Sequence, residues 1–145
     1  MPTSRQPERL VVDANPILAA LLGGMARRIF FETDIQEFAV PEVTIAEVRG
    51  FLPRAALKVG VGRAVLEYAL DLLPLRPYAP RTYRESIADA KRRISKRDPK
   101  DVDVLALTLH LRLPLWSNDR DFEEVGVECL TTARLLAVFF GPSTR

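Results

Sequence analysis

The sequence predicts an α/β domain, a mainly parallel central sheet covered by helices on both faces. Three observations predict it. Short apolar runs alternate along the chain with longer segments of helical character. The helices open on Asn-Pro and Asp-Pro pairs, at Asn15-Pro16 and Asp98-Pro99, which serve as cap and first helical residue. The segment from 101 to 112 is apolar nearly all round, as in a helix packed on several sides. A length of 145 residues makes one domain over 1–145 the default.

In order, "RLVVD" (9–13) reads as a short buried strand, and "ANPILAALLGG" as a helix with Asn15 as N-cap, Pro16 as first residue and Gly23 and Gly24 as the stop. A weaker strand is expected near "RRIFF" and a third at "EFAVP". Residues 42–57 and 61–73 look helical, with a break at Gly60 to Gly62. Those glycines lack the strand and third glycine of a dinucleotide-binding loop. "LRPY" is a short strand, and a charged helix follows from about Thr82 to Lys96. "RDPKDVDVLALTLHLR" restarts a helix with Asp98 as N-cap, Pro99 first and Asp101 third. "LPLWS" is a strand, "DRDFEEVG" a short helix, "VECLT" a strand and "TARLLAVFF" the closing helix.

Composition excludes several classes. No stretch approaches the roughly 18 uninterrupted apolar residues of a membrane span, and the first ten residues, "MPTSRQPERL", lack the apolar core of a secretory signal. A cytoplasmic location without a membrane role is the expectation. Cys129 is the only cysteine and His110 the only histidine, which rules out an internal disulfide and a cysteine-based zinc cluster. Any metal site must then be built from oxygen ligands. A net charge of +2, from 21 basic and 19 acidic side chains, does not by itself announce nucleic-acid binding; the distribution of charge has to decide.

That distribution concentrates acids where a parallel sheet binds ligands, beyond the carboxyl ends of its strands. Asp13 ends the first strand, and Asp119 and Asp121 follow "LPLWS". Glu47 is expected to face inward beside a stripe of Val43, Gly50 and Phe51, and Asp101 lies in the first turn of the apolar helix. Clustered carboxylates resist ionisation unless a cation joins them. Hard oxygen donors favour Mg²⁺, with Mn²⁺ as a substitute.

These segments resemble the PIN domains, metal-dependent ribonucleases that include the VapC-type toxins of prokaryotic toxin–antitoxin pairs. "VVDAN" is similar to the family's first-strand motif, "PEVTIAEV" to its glutamate helix, and "RDPKDVDVLALTLHLRLPLWSNDRDF" to its third and fourth acidic motifs with the helix between. The resemblance implies a three-layer α/β/α sandwich. It also implies an acidic set of Asp13, Glu47, Asp101 and Asp119, acting in catalysis and metal binding, with Asp121 as a companion ligand. Asn15 and Ser117 match the polar residues that flank the metal. Asp103 departs from the pattern and competes with Asp101 for the third position; Asp101 keeps the family's offset from Pro99 and is preferred. An antitoxin protein and a second copy of the chain, as a homodimer, are the partners implied.

Each acid also has a plainer reading. Asp13 can start a turn, Asp101 can serve the helix dipole opposite Asp98, Glu47 can sit at the margin of its helix, and Asp121 can cap a helix beginning at Phe122. His110 reads as a packed or edge residue, and Cys129 as core. Lys91, Arg92, Arg93, Lys96 and Arg97 form a solvated helix face by default, and are candidates to receive an RNA backbone because carboxylates alone repel a polyanion. Tyr78, Tyr83 and Trp116 can stack on bases, but packing explains each as readily. The expected activity is hydrolysis of RNA phosphodiester bonds. Its rivals are a catalytically silent RNA- or antitoxin-binding module on the same scaffold, and an aspartate-based phosphotransferase. The latter wants a second acid where Asn15 stands and an activating lysine in a strand-end motif.

Overall fold

A computed structural model of the chain describes residues 5–94 and 99–141. Its core is a five-stranded sheet of β1 (Arg9–Val12), β2 (Glu37–Pro41), β3 (Leu75–Tyr78), β4 (Leu115–Trp116) and β5 (Cys129–Leu130), in the order β3-β2-β1-β4-β5. Every pairing is parallel. Seven α-helices are described: α1 (Ala14–Leu21), α2 (Ala26–Phe31), α3 (Glu42–Val59), α4 (Arg63–Leu72), α5 (Ile87–Ile94), α6 (Lys100–Leu111) and α7 (Thr132–Phe140), with 3-10 turns at Pro80–Ser86 and Arg120–Phe122.

Successive strand side chains point to opposite faces, and this builds two separate cores. Leu10 and Val12 of β1, Phe38 and Val40 of β2 and Trp116 of β4 join buried residues of α1, α2, α3, α4 and α7, among them Ile17, Ile29, Val48, Leu66 and Leu135. Val11, Ala39 and Leu115 turn the other way, onto Tyr83, α5 and the buried run Val104 to Leu107 of α6. The three layers expected from the sequence are therefore present, and α6 is sheathed by apolar contacts as its composition requires.

Four expectations need correction. The α1 cap is Asp13, not Asn15: Asp13 has extended backbone and its Oδ1 accepts from the Ala14 amide at 2.8 Å. Asn15 lies inside the first turn, where Pro16 also loses nothing, because the first helical N–H groups lack intrahelical acceptors. "RRIFF" is helix α2, since Ala26, Ile29 and Phe30 bury at helical spacing, three and then one residue apart, on the α1 side. The charged helix is divided: Pro80–Ser86 form a 3-10 turn interrupted at Tyr83 (φ −113°, ψ 18°), and α5 starts only at Ile87. "DRDFEEVG" contributes just the turn Arg120–Phe122, capped by Asp119, whose side chain accepts from the Asp121 amide, so the cap is not Asp121. The expected cap Asp98 lies outside the described residues. Pro99 precedes α6 with helical backbone (φ −57°, ψ −24°).

At the amino edge of the sheet, Glu37 is nearly buried and answered by three neighbours. The Arg9 guanidinium donates to Oε1 at 2.6 Å, the Tyr78 hydroxyl donates to Oε2, and Arg76 lies 3.6 Å away. Burial pushes this carboxyl up, but the Tyr78 and Arg9 bonds and the two guanidinium charges outweigh it, leaving the group below its ordinary value of 4.5. A depressed native value means stability that is present above pH 4.5 and lost as pH falls through the native value. Glu37→Gln is expected to cost about 1–2 kcal/mol at pH 7. In urea unfolding the gap to the parent should close as pH drops below 4.5; a gap unchanged at pH 3 would contradict this account.

Candidate metal centre

The carboxyl ends of β1 and β4 lie side by side, because Val12 pairs with Trp116 and the Asp13 amide donates to the Trp116 carbonyl at 3.0 Å. Asp13 and Ser117 are therefore neighbours across the sheet edge. The fully buried Ser117 hydroxyl donates to Asp13 Oδ2 at 2.7 Å and its oxygen accepts the Asp119 amide at 3.0 Å. One small side chain thus ties the first acid to the backbone of the fourth. Burial raises the Asp13 carboxyl above its ordinary value; the bonds from Ser117 and Ala14 pull it down, and the charge of Asp119 pushes it up again.

Asp101, from the first turn of α6, meets Asp119 and Asp121 here, with one carboxylate oxygen from each lying within 4.8 Å of the others. Asp101 and Asp119 are half-buried and Asp121 is exposed. The donor set is carboxylate only, without histidine or cysteine, and suits a hard divalent cation such as Mg²⁺ or Mn²⁺. Such a cation would also relieve the mutual repulsion of the acids. Asp103 points elsewhere: it accepts from the buried Tyr83 hydroxyl at 2.6 Å, and that bond, after burial, holds the Tyr83 phenol well above its usual range.

Glu47 is not one of that trio. The buried stripe of α3 is Thr44, Val48, Leu52 and Ala56, not the expected Val43, Gly50 and Phe51, so Glu47 sits at its margin. There it lines a groove between α3 and α6 and lies 3.9 Å from the Lys100 ammonium. Asn15 is exposed, two residues after Asp13. Of the basic candidates, Arg92 and Arg93 both bond Asp89, and Arg93 also donates to the Val125 carbonyl at 2.8 Å, while Lys91 is exposed. Lys96 and Arg97 lie outside the described residues. Tyr83 and Trp116 are fully buried, so packing accounts for both. His110 is exposed at the end of α6, and Cys129 is only half-buried, its thiol pushed up to about 11 chiefly by burial.

Sequence reasoning missed Asn118 and Thr132. The Asn118 amide donates to Thr132 Oγ1 at 3.1 Å, and its oxygen accepts the Thr132 amide at 2.9 Å. The Trp116 indole N–H donates to the same Thr132 oxygen at 3.0 Å. These bonds fasten the loop that carries Asp119 to the start of α7. The available signal was the unbroken polar run "SNDRD" after an apolar strand.

Fold and site together define an α/β protein with a five-stranded parallel sheet and carboxylates gathered beyond its strand ends. The family model described as PIN domain matches residues 11–139, nine-tenths of the chain, and the chain belongs to the PIN domain family. PIN domains are generally nucleases acting on nucleic acid with divalent metal ions. No curated protein matches the chain. Among the described residues no helix is long and apolar enough to cross a membrane.

Proposed function

We propose that the chain is a Mg²⁺-dependent endoribonuclease working as one cytoplasmic domain, the VapC-like toxin of a toxin–antitoxin pair. The supporting observation is the approach of Asp101, Asp119 and Asp121 to within 4.8 Å, in a chain that belongs to a family of nucleases. In this reading Asp13, Asp101, Asp119 and Asp121 hold Mg²⁺ or Mn²⁺, with Glu47 completing the site. A cation so held lowers the pKa of water for attack on the phosphodiester and stabilises charge developing on the phosphate. The chain's own part is positional. Ser117 fixes the Asp13 carboxylate and the Asp119 amide together, and Asn15 orients groups at the rim. Lys91 and Arg92 draw in the RNA backbone, joined by Lys96 and Arg97 on the sequence reading, while Arg93 is partly committed to Val125.

The toxin role, and a cognate antitoxin as partner, rest on the resemblance of the acidic motifs to those of VapC-type toxins. A homodimer is favoured by the apolar side chains that α3 and α4 leave in solvent, Leu57, Val65, Tyr68 and Leu72. The decisive test is cleavage of a mixed single-stranded RNA pool across a metal titration. Fragments should form with Mg²⁺ or Mn²⁺ and fall by about a hundredfold or more in EDTA, as expected when several kcal/mol of charge stabilisation is withdrawn. Equal cleavage in EDTA would end the metal-dependent reading, and a mobility shift of RNA without fragments would favour the silent binding module.

A further inference from the structure

Beside the acidic trio, on the neighbouring face of the first turn of α6, lies an open groove of about 500 Å³ between α3 and α6. Its distinctive feature is Phe51. Among the described residues, this half-buried ring belongs to neither of the two buried clusters. Two cations flank it, with the Arg54 guanidinium carbon 5.7 Å and the Lys100 ammonium 5.8 Å from the ring centre. Those distances place both cations over the ring, at the outer reach of a cation–π contact. Gly50 adds no side chain beside it, and a Cβ built there meets nothing within 4 Å.

An aromatic ring with paired cations close by is how proteins hold one unit of a single strand, the base stacking on the ring and the phosphate meeting the cations. Lys100 immediately precedes Asp101 in the first turn of α6, so the groove and the acidic trio draw on the same helix end. We propose that the Phe51 groove binds one nucleotide of single-stranded RNA, stacked on Phe51 with its phosphate against Arg54 and Lys100, and so presents the adjoining phosphodiester to the acidic centre. Of the acids on the same groove, Asp103 accepts from Tyr83, and Glu47 would share Lys100 with the phosphate. This inference rests on the nuclease reading for its substrate.

The test measures binding of a fluorescently labelled RNA 12-mer by the full chain carrying Asp119→Asn, so that nothing is cut, and by the same protein with Phe51→Leu, Phe51→Trp or Arg54→Gln added. Leucine keeps the apolar bulk but removes the ring face, and is expected to weaken binding by about tenfold, the loss of one stacked base. Tryptophan should retain binding, and Arg54→Gln should flatten the dependence on salt by about one phosphate contact. Melting curves confirm that each variant is folded. Unchanged affinity in a folded Phe51→Leu protein overturns the proposal, as does a Phe51 effect confined to duplex RNA or to the matching DNA strand. Cleavage by the unmutated chain is measured in parallel. Loss of Phe51-dependent binding with cleavage intact sinks the groove alone, and Phe51-dependent binding without any cleavage upholds the groove and sinks the nuclease reading.

Discussion

Asp13→Asn is expected to lower RNA cleavage by on the order of a thousandfold while leaving the protein at least as stable as its parent. The rate loss follows from the proposed role of Asp13: several kcal/mol of charge stabilisation depends on a complete anionic ligand set, and about 4 kcal/mol amounts to three decades in rate. The stability arm follows from burial. Asparagine can still cap α1 and bond Ser117, but it cannot ionise. Because burial, reinforced by Asp119, raises the native Asp13 carboxyl above its ordinary value of 3.8, the native state holds this proton more tightly than the unfolded chain does. Asp13 therefore subtracts stability as pH climbs above 3.8 toward the raised native value. The variant should melt at an equal or higher temperature at pH 7, and that advantage should vanish in acid. Added Mg²⁺ should raise the melting temperature of the parent and not of the variant. Mg²⁺-dependent cleavage surviving in the variant, prepared free of host nuclease, would remove Asp13 from the site.

Trp116→Ala is expected to cost about 3–5 kcal/mol, the range for deleting a large buried aromatic, which is a large share of the stability of a domain this size. Trp116 is fully buried, its ring centre lies 4.9 Å from that of Phe30 and 6.2 Å from that of Phe38, and its N–H is bonded to Thr132. It is also the residue before Ser117, so the loop that carries Asp119 should loosen with the core. Urea unfolding followed by far-ultraviolet circular dichroism measures the loss; fluorescence cannot, because this is the sole tryptophan. A cost under about 1 kcal/mol would mean that the core refills around the gap.

The sheet was largely legible in the sequence because its strands are short apolar runs bounded by proline and acid, as "EFAVP" and "RLVVD" show. The acids at their ends were legible for the same reason, since a parallel sheet places Asp13 and Asp119 on one edge whatever the loops do. Legibility failed where local pattern is ambiguous. In "RRIFF" three apolar residues in a row satisfy strand or helix, and only packing against α1 decides. Asn15-Pro16 carries a cap signature, but Asp13 stands two residues earlier and takes the cap, because extended backbone at the end of β1 already aims its carboxylate at the Ala14 amide. Glu47 shows the limit of helical spacing: Thr44 and Val48 bury and Val43 stays in solvent, a rotation of one residue that spacing among weakly apolar positions does not resolve.

The adjacency of β1 and β4 has a consequence for synthesis. Asp13 and its hydroxyl partner are separated by 104 positions, so a nascent chain exposes the first acid long before the segment that completes the cage has left the ribosome. The acidic cluster proposed to act on RNA is therefore incomplete until Ser117 and Asp119 have emerged to meet Asp13.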